Sequence, residues 1–155
     1  MTFTLQADSL GTSGESLLRW AESLRVPVQQ EMAARLQDIT QNNFGLDGED
    51  RPSEWQPLSI GYARTAHGGD TTPKEILSGD MLDSIRVEDT SPEFARVFTD
   101  MDYAATQQWG GGEWNTPARP FFPLFGSEDS PELTPYSEAE VWTAAREEVD
   151  RQTRK

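Results

Sequence analysis

The chain contains no cysteine and a single histidine. The first absence removes a disulfide framework, thiol catalysis and cysteine-ligated zinc. The second removes a two-histidine metal site within one chain and leaves His67 as an exposed loop residue. No apolar run approaches the roughly 18 residues that a membrane span needs. The opening MTFTLQADSLG has neither a basic region nor an apolar segment, so no signal peptide is expected and the cytoplasm is the expected place of synthesis. Basic residues are scarce as well, 13 against 27 acids, for a net charge of −14. A protein that grips nucleic acid through its phosphates needs clustered Lys and Arg, and this balance argues against one. The charge is uneven: from Phe121 to Asp150 eight acids stand beside one base, Arg146, and the last five residues, RQTRK, reverse the sign. Three readings fit such acidity: simple solubility, a surface past which DNA slides without sticking, or a DNA mimic.

What is present fits one lean domain spanning 1–155. A chain of 155 residues can bury a real core, but hydrophobic content is 35%, and 12 glycines and 10 prolines imply much loop. Phe3, Leu5 and Ala7 alternate with polar residues as in a short strand within an N-terminal arm, 1–13. Thr12 or Ser13 is the expected cap of a helix. Leu17, Trp20, Ala21, Leu24, Val28, Met32, Leu36 and Ile39 then recur three or four apart, which is one apolar helix face. Pro27 interrupts it, predicting two helices, about 14–25 and 27–43, or one kinked helix. A long irregular region, 44–75, follows. Ile85 and Val87 alternate with polar neighbours, DTSPE makes a turn, and Phe94–Thr99 runs back as a second strand of a hairpin. YAATQQWG predicts a short helix ended by Gly110 as a left-handed cap. Pro120 and Pro123 hold ARPFFPL extended. The acidic segment 127–155 ends in a helix, SEAEVWTAAREEVDRQ, with Ser137 as cap and Glu140 completing a capping box.

Sites of chemistry do not emerge. The three glycines of QQWGGGEWNTPARPFFPLFG follow a short helix and precede a proline-rich extended stretch. A dinucleotide fingerprint needs the reverse order, strand then helix, and no Walker-type Lys-Ser/Thr is present. The glycines read as a flexible link. Trp109 and Trp114 fit packing better than stacking on a sugar or base. Asp47, Glu49 and Asp50 lack the alternating ligands and closing glutamate of a calcium loop. With 27 acids some carboxylate pair always looks possible, and no serine–histidine elbow occurs. No enzyme, cofactor or metal is expected.

The order of short motifs is more telling. An N-terminal helix pair ends in NNF, a DG turn leads to WQPLS at Trp55–Ser59, and ILSGDMLDSIRVE spans Ile76–Glu88. YAATQQWGG and PARPFFPL follow. In this order and spacing, over about 15–126, the sequence resembles the virion-morphogenesis, or tail-completion, family of long-tailed bacteriophages. The resemblance implies an α+β fold: a small, mostly antiparallel sheet packed against a long N-terminal helix pair, with a C-terminal helix. It implies structural work in the virion neck or tail, where a ring, expected to be a hexamer, completes or terminates the tail tube and joins tail to head. The implied partners are other copies of the chain, the tail tube protein and a head–tail connector, with DNA passing through the ring without specific binding and no membrane involved. Interface candidates on this view are Trp55, Tyr103, Gln108, Trp109, Arg119 and Phe121, with Arg119 bonding a carboxylate of the same or the next subunit. Phe122 and Leu124 are expected to face inward and Phe121 towards a neighbour. Gly61–Lys74, including His67, Gly68 and Gly69, is expected to be mobile or to reach a neighbouring subunit. The alternative from a different class is an acidic DNA mimic that blocks a nucleic-acid-binding protein.

Overall fold

The computed structural model describes residues 11–45, 48, 50–66, 68–71, 79–88, 91, 93–112 and 116–154; the expected strand at Phe3–Ala7 lies outside them. In chain order the elements are α1 (Gly11–Ser23), α2 (Arg25–Asn42), α3 (Ile60–Ala66), α4 (Asp80–Ser84), β1 (Arg86–Glu88), β2 (Arg96–Phe98), α5 (Ala104–Trp109), β3 (Leu124–Ser127), β4 (Ser130–Leu133) and α6 (Pro135–Thr153). The fold is α+β, with a long bent N-terminal helix, two small antiparallel sheets and a C-terminal helix.

The bend between α1 and α2 follows from Pro27. A proline has no N–H to give and is tolerated only where that donor has no helical acceptor, in the first turn. Pro27 is the third residue of α2, and the chain divides just before it, at Leu24. The backbone stays bonded through the bend, with Leu24 N–H to Ala21 C=O at 3.3 Å and Val28 N–H to Leu24 C=O at 3.0 Å. Because α1 already begins at Gly11, neither Thr12 nor Ser13 is its cap.

Helix α6 lies antiparallel along α2. Two sets of ion pairs fix the direction: Arg35 meets Glu140 at 2.6 Å and Glu147 at 3.6 Å, while Arg151 meets Glu31 at 3.0 Å. Between them Ala33 and Ile39 of α2 and Val141, Ala144 and Ala145 of α6 are buried. Small side chains on both helices let the axes approach closely. The cap of α6 differs from the expected capping box. Thr134 is the N-cap and accepts the Ser137 N–H, with Pro135 in the first turn. Ser137 instead turns its hydroxyl to Asp50 at 2.6 Å, and Glu140 is used by Arg35.

The expected hairpin is present as β1–β2, with Arg86 opposite Phe98 and Val87 opposite Val97. Gln37 and Gln41 of α2 donate to the Ile85 carbonyl at 2.9 and 3.3 Å and tie the hairpin to the helix. A second hairpin, β3–β4, pairs Leu124 with Leu133 and Ser127 with Ser130. It occupies the start of the acidic segment, where sequence alone predicts only irregular chain. The two hairpins form separate two-stranded sheets. Asp80–Ser84, expected in the strand region, is a helical turn, with Asp80 and Asp83 in its first turn, where negative charge suits the helix dipole.

The region 44–75 is less irregular than expected. Its centre is α3, anchored by the fully buried Ala63 and flanked by the buried Leu58. Leu58 N–H bonds Thr71 C=O and Gly69 N–H bonds Ala63 C=O, both at 2.9 Å. Gly61 is therefore helical, and Gly68 and Gly69 form a turn with positive φ. His67 and Lys74 lie outside the described residues.

Candidate functional site

The strongest concentration of specific contacts surrounds Pro120–Leu124. Phe121 is 0% exposed and sits in a cluster with Phe44, Trp55, Met81 and Ile85, against which Phe122 and Val97 pack. Its ring lies 5.3 Å from that of Phe44 and 4.9 Å from that of Phe122, distances favourable for tilted aromatic pairs. Trp55 stands nearly edge-on to Phe44 and carries the Arg51 guanidinium 4.0 Å over its ring.

Burying an aromatic pair also buries its backbone, and extended backbone between two prolines has no strand partner here. Side chains supply the missing bonds. Gln108 accepts from Phe121 N–H at 3.0 Å and Phe122 N–H at 2.9 Å, and donates to Phe122 C=O at 3.2 Å. Asn43 donates to Phe121 C=O at 2.9 Å, and the Trp55 indole donates to Pro120 C=O at 2.9 Å. Asn43 also bonds Asp50 in both directions, at 3.1 and 2.9 Å. The Asp50 carboxylate then accepts from Ser137 N–H and from the hydroxyls of Ser137 and Thr134. One connected network thus joins the end of α2, the 50–55 segment, α5, the Pro120–Leu124 strip and the start of α6. Buried polar groups that are fully satisfied in this way specify one arrangement of the chain.

The glycine run feeds this strip. Gly110, Gly111 and Gly112 all have positive φ, and Gly111 and Thr116 exchange two backbone bonds of 2.8 Å. A Cβ on Gly110 would stand 2.9 Å from Ala118 N and 3.0 Å from Thr116 O. The run is a defined reversal rather than a flexible link, and ψ of −173° at Gly110 is not that of a left-handed cap. Trp114 lies outside the described residues.

The interface candidates divide accordingly. Trp55 (5% exposed), Gln108 (4%) and Phe121 (0%) are buried within the subunit, where each supports the fold. Trp109 and Arg119 are half-buried, and Arg119 N–H bonds Gln107 C=O at 2.6 Å. Tyr103 alone is exposed. Phe121, expected towards a neighbour, is wholly buried, while Phe122 is half-buried and packs against the same core. The bend at Phe122–Pro123, where Leu124 N–H returns to Phe122 C=O at 2.7 Å, breaks the alternation that the expectation assumed.

The surface carries what sequence reasoning did not assign. Leu17, Trp20, Phe94, Phe125, Tyr136 and Trp142 are exposed. Leu17 and Trp20 belong to the apolar helix face expected to be inward; periodicity marks a face that wants burial but not what buries it. Salt bridges move two ionisable groups away from their ordinary values. The Arg86 hydrogen bond holds Asp100 below the usual carboxylate range, and the Glu31 hydrogen bond raises Arg151 further. Among the described residues no group of three or more His, Asp or Glu could hold a metal ion, and no helix is long and apolar enough to cross a membrane.

The chain thus combines an interior strip whose backbone is bonded by side-chain amides with large apolar side chains left on the outside. Residues 10–149 match the phage virion morphogenesis family. The chain belongs to that family, and takes part in virion assembly. It is also similar to an uncharacterized protein of Methanocaldococcus jannaschii, 32% identical over 98 residues that cover 61% of this chain and 70% of that protein. No solved structure matches the chain.

Proposed function

We propose that this chain is a structural subunit of the phage neck or tail, that it forms a ring which completes or terminates the tail tube, and that it joins tail to head without catalysis. The carrying observation is the family match over nearly the whole chain. The exposed apolar side chains on several elements support it, because a subunit that closes a ring must present such surfaces before assembly. A terminator binds the last tube ring better than a further tube subunit does, so it acts by stoichiometric, symmetric contact. In a closed ring the charge of −14 per chain would add up around the bore and discourage adhesion of passing DNA. The partners on this reading are other copies of the chain, the tail tube protein and a head–tail connector. The test is electron microscopy of a lysate whose phage carries an early stop codon in this gene. Free tails, some of irregular length, beside unjoined heads are the expected outcome. Intact virions with a defect confined to host takeover would instead favour an acidic DNA mimic.

A further inference from the structure

Two apolar surfaces of this chain lie open in the same molecule. One is a strip of Leu17, Trp20 and Ala21 on α1, continued by the half-buried Leu24 just beyond it, spaced i, i+3, i+4 and i+7, with Leu17 51% and Trp20 42% exposed. The other is a trough. Its floor is Met32 and Leu36 of α2 and Val141 of α6, and its two walls are the hairpins, through Val97 on one side and Leu133 on the other. Three depressions share these five residues and run into one another, the largest about 500 Å³. Phe94, Phe125 and Trp142 stand exposed along its edges.

The i, i+3, i+4, i+7 pattern is the one by which an amphipathic helix lays its apolar face into a groove. The strip cannot reach the trough of its own chain. Two antiparallel helices need a connection of about two to five residues, and only Leu24 separates α1 from α2. Its N–H and C=O are both bonded to helical neighbours, so α1 cannot fold back over Met32 and Leu36 without breaking the bend. Charge agrees with a second copy as the occupant. The trough-lining residues include two carboxylates, Glu132 and Glu138, and no base, while the exposed Arg25, first residue of α2, borders the strip and Glu15, Arg19 and Glu22 fall on the opposite face of α1 at helical spacing.

We propose that α1 of one copy docks in the α2–α6 trough of the next, with Leu17, Trp20 and Leu24 as anchors. Such a contact is heterologous: strip and trough are different surfaces, each copy uses both, and repetition closes a ring when the rotation permits. The proposal rests on the self-assembly part of the reading above and names the surfaces that carry it.

The absence of cysteine makes the test clean. A chain carrying both Leu17→Cys and Glu138→Cys, mildly oxidised, is expected to give a ladder of cross-linked oligomers on a non-reducing gel. The two single variants mixed should give a heterodimer and nothing larger. Cross-links within one chain, or none, would overturn the docking. In parallel, Trp20→Asp should weaken self-association, read by light scattering against concentration, roughly a hundredfold, with the melting temperature of the dissociated chain unchanged. If Trp20→Asp associates as tightly as the parent chain, the α1 contact is wrong while self-assembly stands. If the parent chain is itself monomeric at high concentration, docking between free copies is wrong, and the stop-codon phenotype then decides the neck reading separately.

Discussion

Helix α1 and the Pro120–Leu124 strip are both rich in large apolar side chains, and the chain treats them in opposite ways. In the strip, Phe121 is wholly enclosed and every backbone group from Pro120 C=O to Phe122 C=O has a named side-chain partner. In α1, Leu17 and Trp20 are about half exposed, and the helix is joined to the body through its bonded end at Leu24. The strip is short and bent by prolines, and both of its buried N–H groups are satisfied by Gln108, so it depends on other elements to complete it. The helix satisfies its own backbone and can stand without burying its face. Stability of the subunit therefore draws on the first region, and on the docking proposed above the second serves association.

The largest break of this contrast is at Phe121. Phe121→Asp places a carboxylate at a wholly buried position, a cost of several kcal/mol set against the roughly 5–15 kcal/mol of a whole domain. The variant should be unfolded by circular dichroism at ambient temperature. Phe121→Ala should lose about 3–5 kcal/mol in a urea titration. Phe122→Asp, at a partly buried position, should cost clearly less than Phe121→Asp; equal losses would show that the two rings are not differently placed.

Gln108 comes next. Gln108→Ala strands the N–H groups of Phe121 and Phe122 in the interior, at about 1–3 kcal/mol for each group that water cannot reach, while Phe122 C=O keeps the Leu124 N–H. Gln108→Glu keeps the acceptor for both N–H groups and loses only the donor to Phe122 C=O. Its loss should be the smaller of the two at low pH, where the carboxyl is neutral, and should grow as pH rises and a charge forms in the interior. The reverse order in urea titrations would mean that amide space filling, not bonding, holds the strip.

This contrast also explains what could be read from the sequence. The β1–β2 hairpin was legible because Ile85 and Val87 alternate with polar residues and a proline-containing turn follows. Pro27 was legible because its effect is local. The β3–β4 hairpin was not: its strands are mostly exposed, so they show no alternation, and Pro131 argues against a strand except at an edge. The cap of α6 was available locally, since threonine before proline is the N-cap and first-turn pair, but Ser137 matched the capping box equally well. What decided between them was Asp50, 87 positions away from Ser137. For the same reason Trp55, Gln108 and Phe121 could be singled out as special but not placed: their role is to complete a segment distant in sequence. The fold class was implied by the family resemblance, with which the order of elements agreed; the interior of the candidate site was not.

Gly110 sharpens the boundary between the two kinds of region. Gly110→Ala combines a positive φ with a Cβ 2.9 Å from backbone atoms that cannot swing aside, so a loss of about 1–3 kcal/mol is expected. Gly111 shares the positive φ but has open space around its Cβ position. Gly111→Ala should cost about 1 kcal/mol, from conformation alone. Thermal melts of the pair separate the close approach from the backbone strain.

The smallest expected effect on the subunit is the most informative about α1. Trp20→Ser removes one of the largest side chains in the protein, and a tryptophan in a core costs about 3–5 kcal/mol when truncated. Trp20 is 42% exposed, on a helix that contributes nothing to the Phe44–Trp55–Phe121 cluster. Its replacement should therefore change the stability of the isolated subunit by no more than about 0.5 kcal/mol, the range of ordinary surface substitutions. Serine also has only a modestly lower helix propensity, a few tenths of a kcal/mol at most. The measurement is a urea titration at a concentration low enough to keep the chain dissociated. Repeating it at high concentration is the second half of the experiment: self-association stabilises the folded parent by mass action, so a gap between parent and variant that opens only as concentration rises would place the value of Trp20 in assembly. A loss of several kcal/mol at low concentration would instead mean that α1 folds onto its own body, and the contrast between the two regions would not hold.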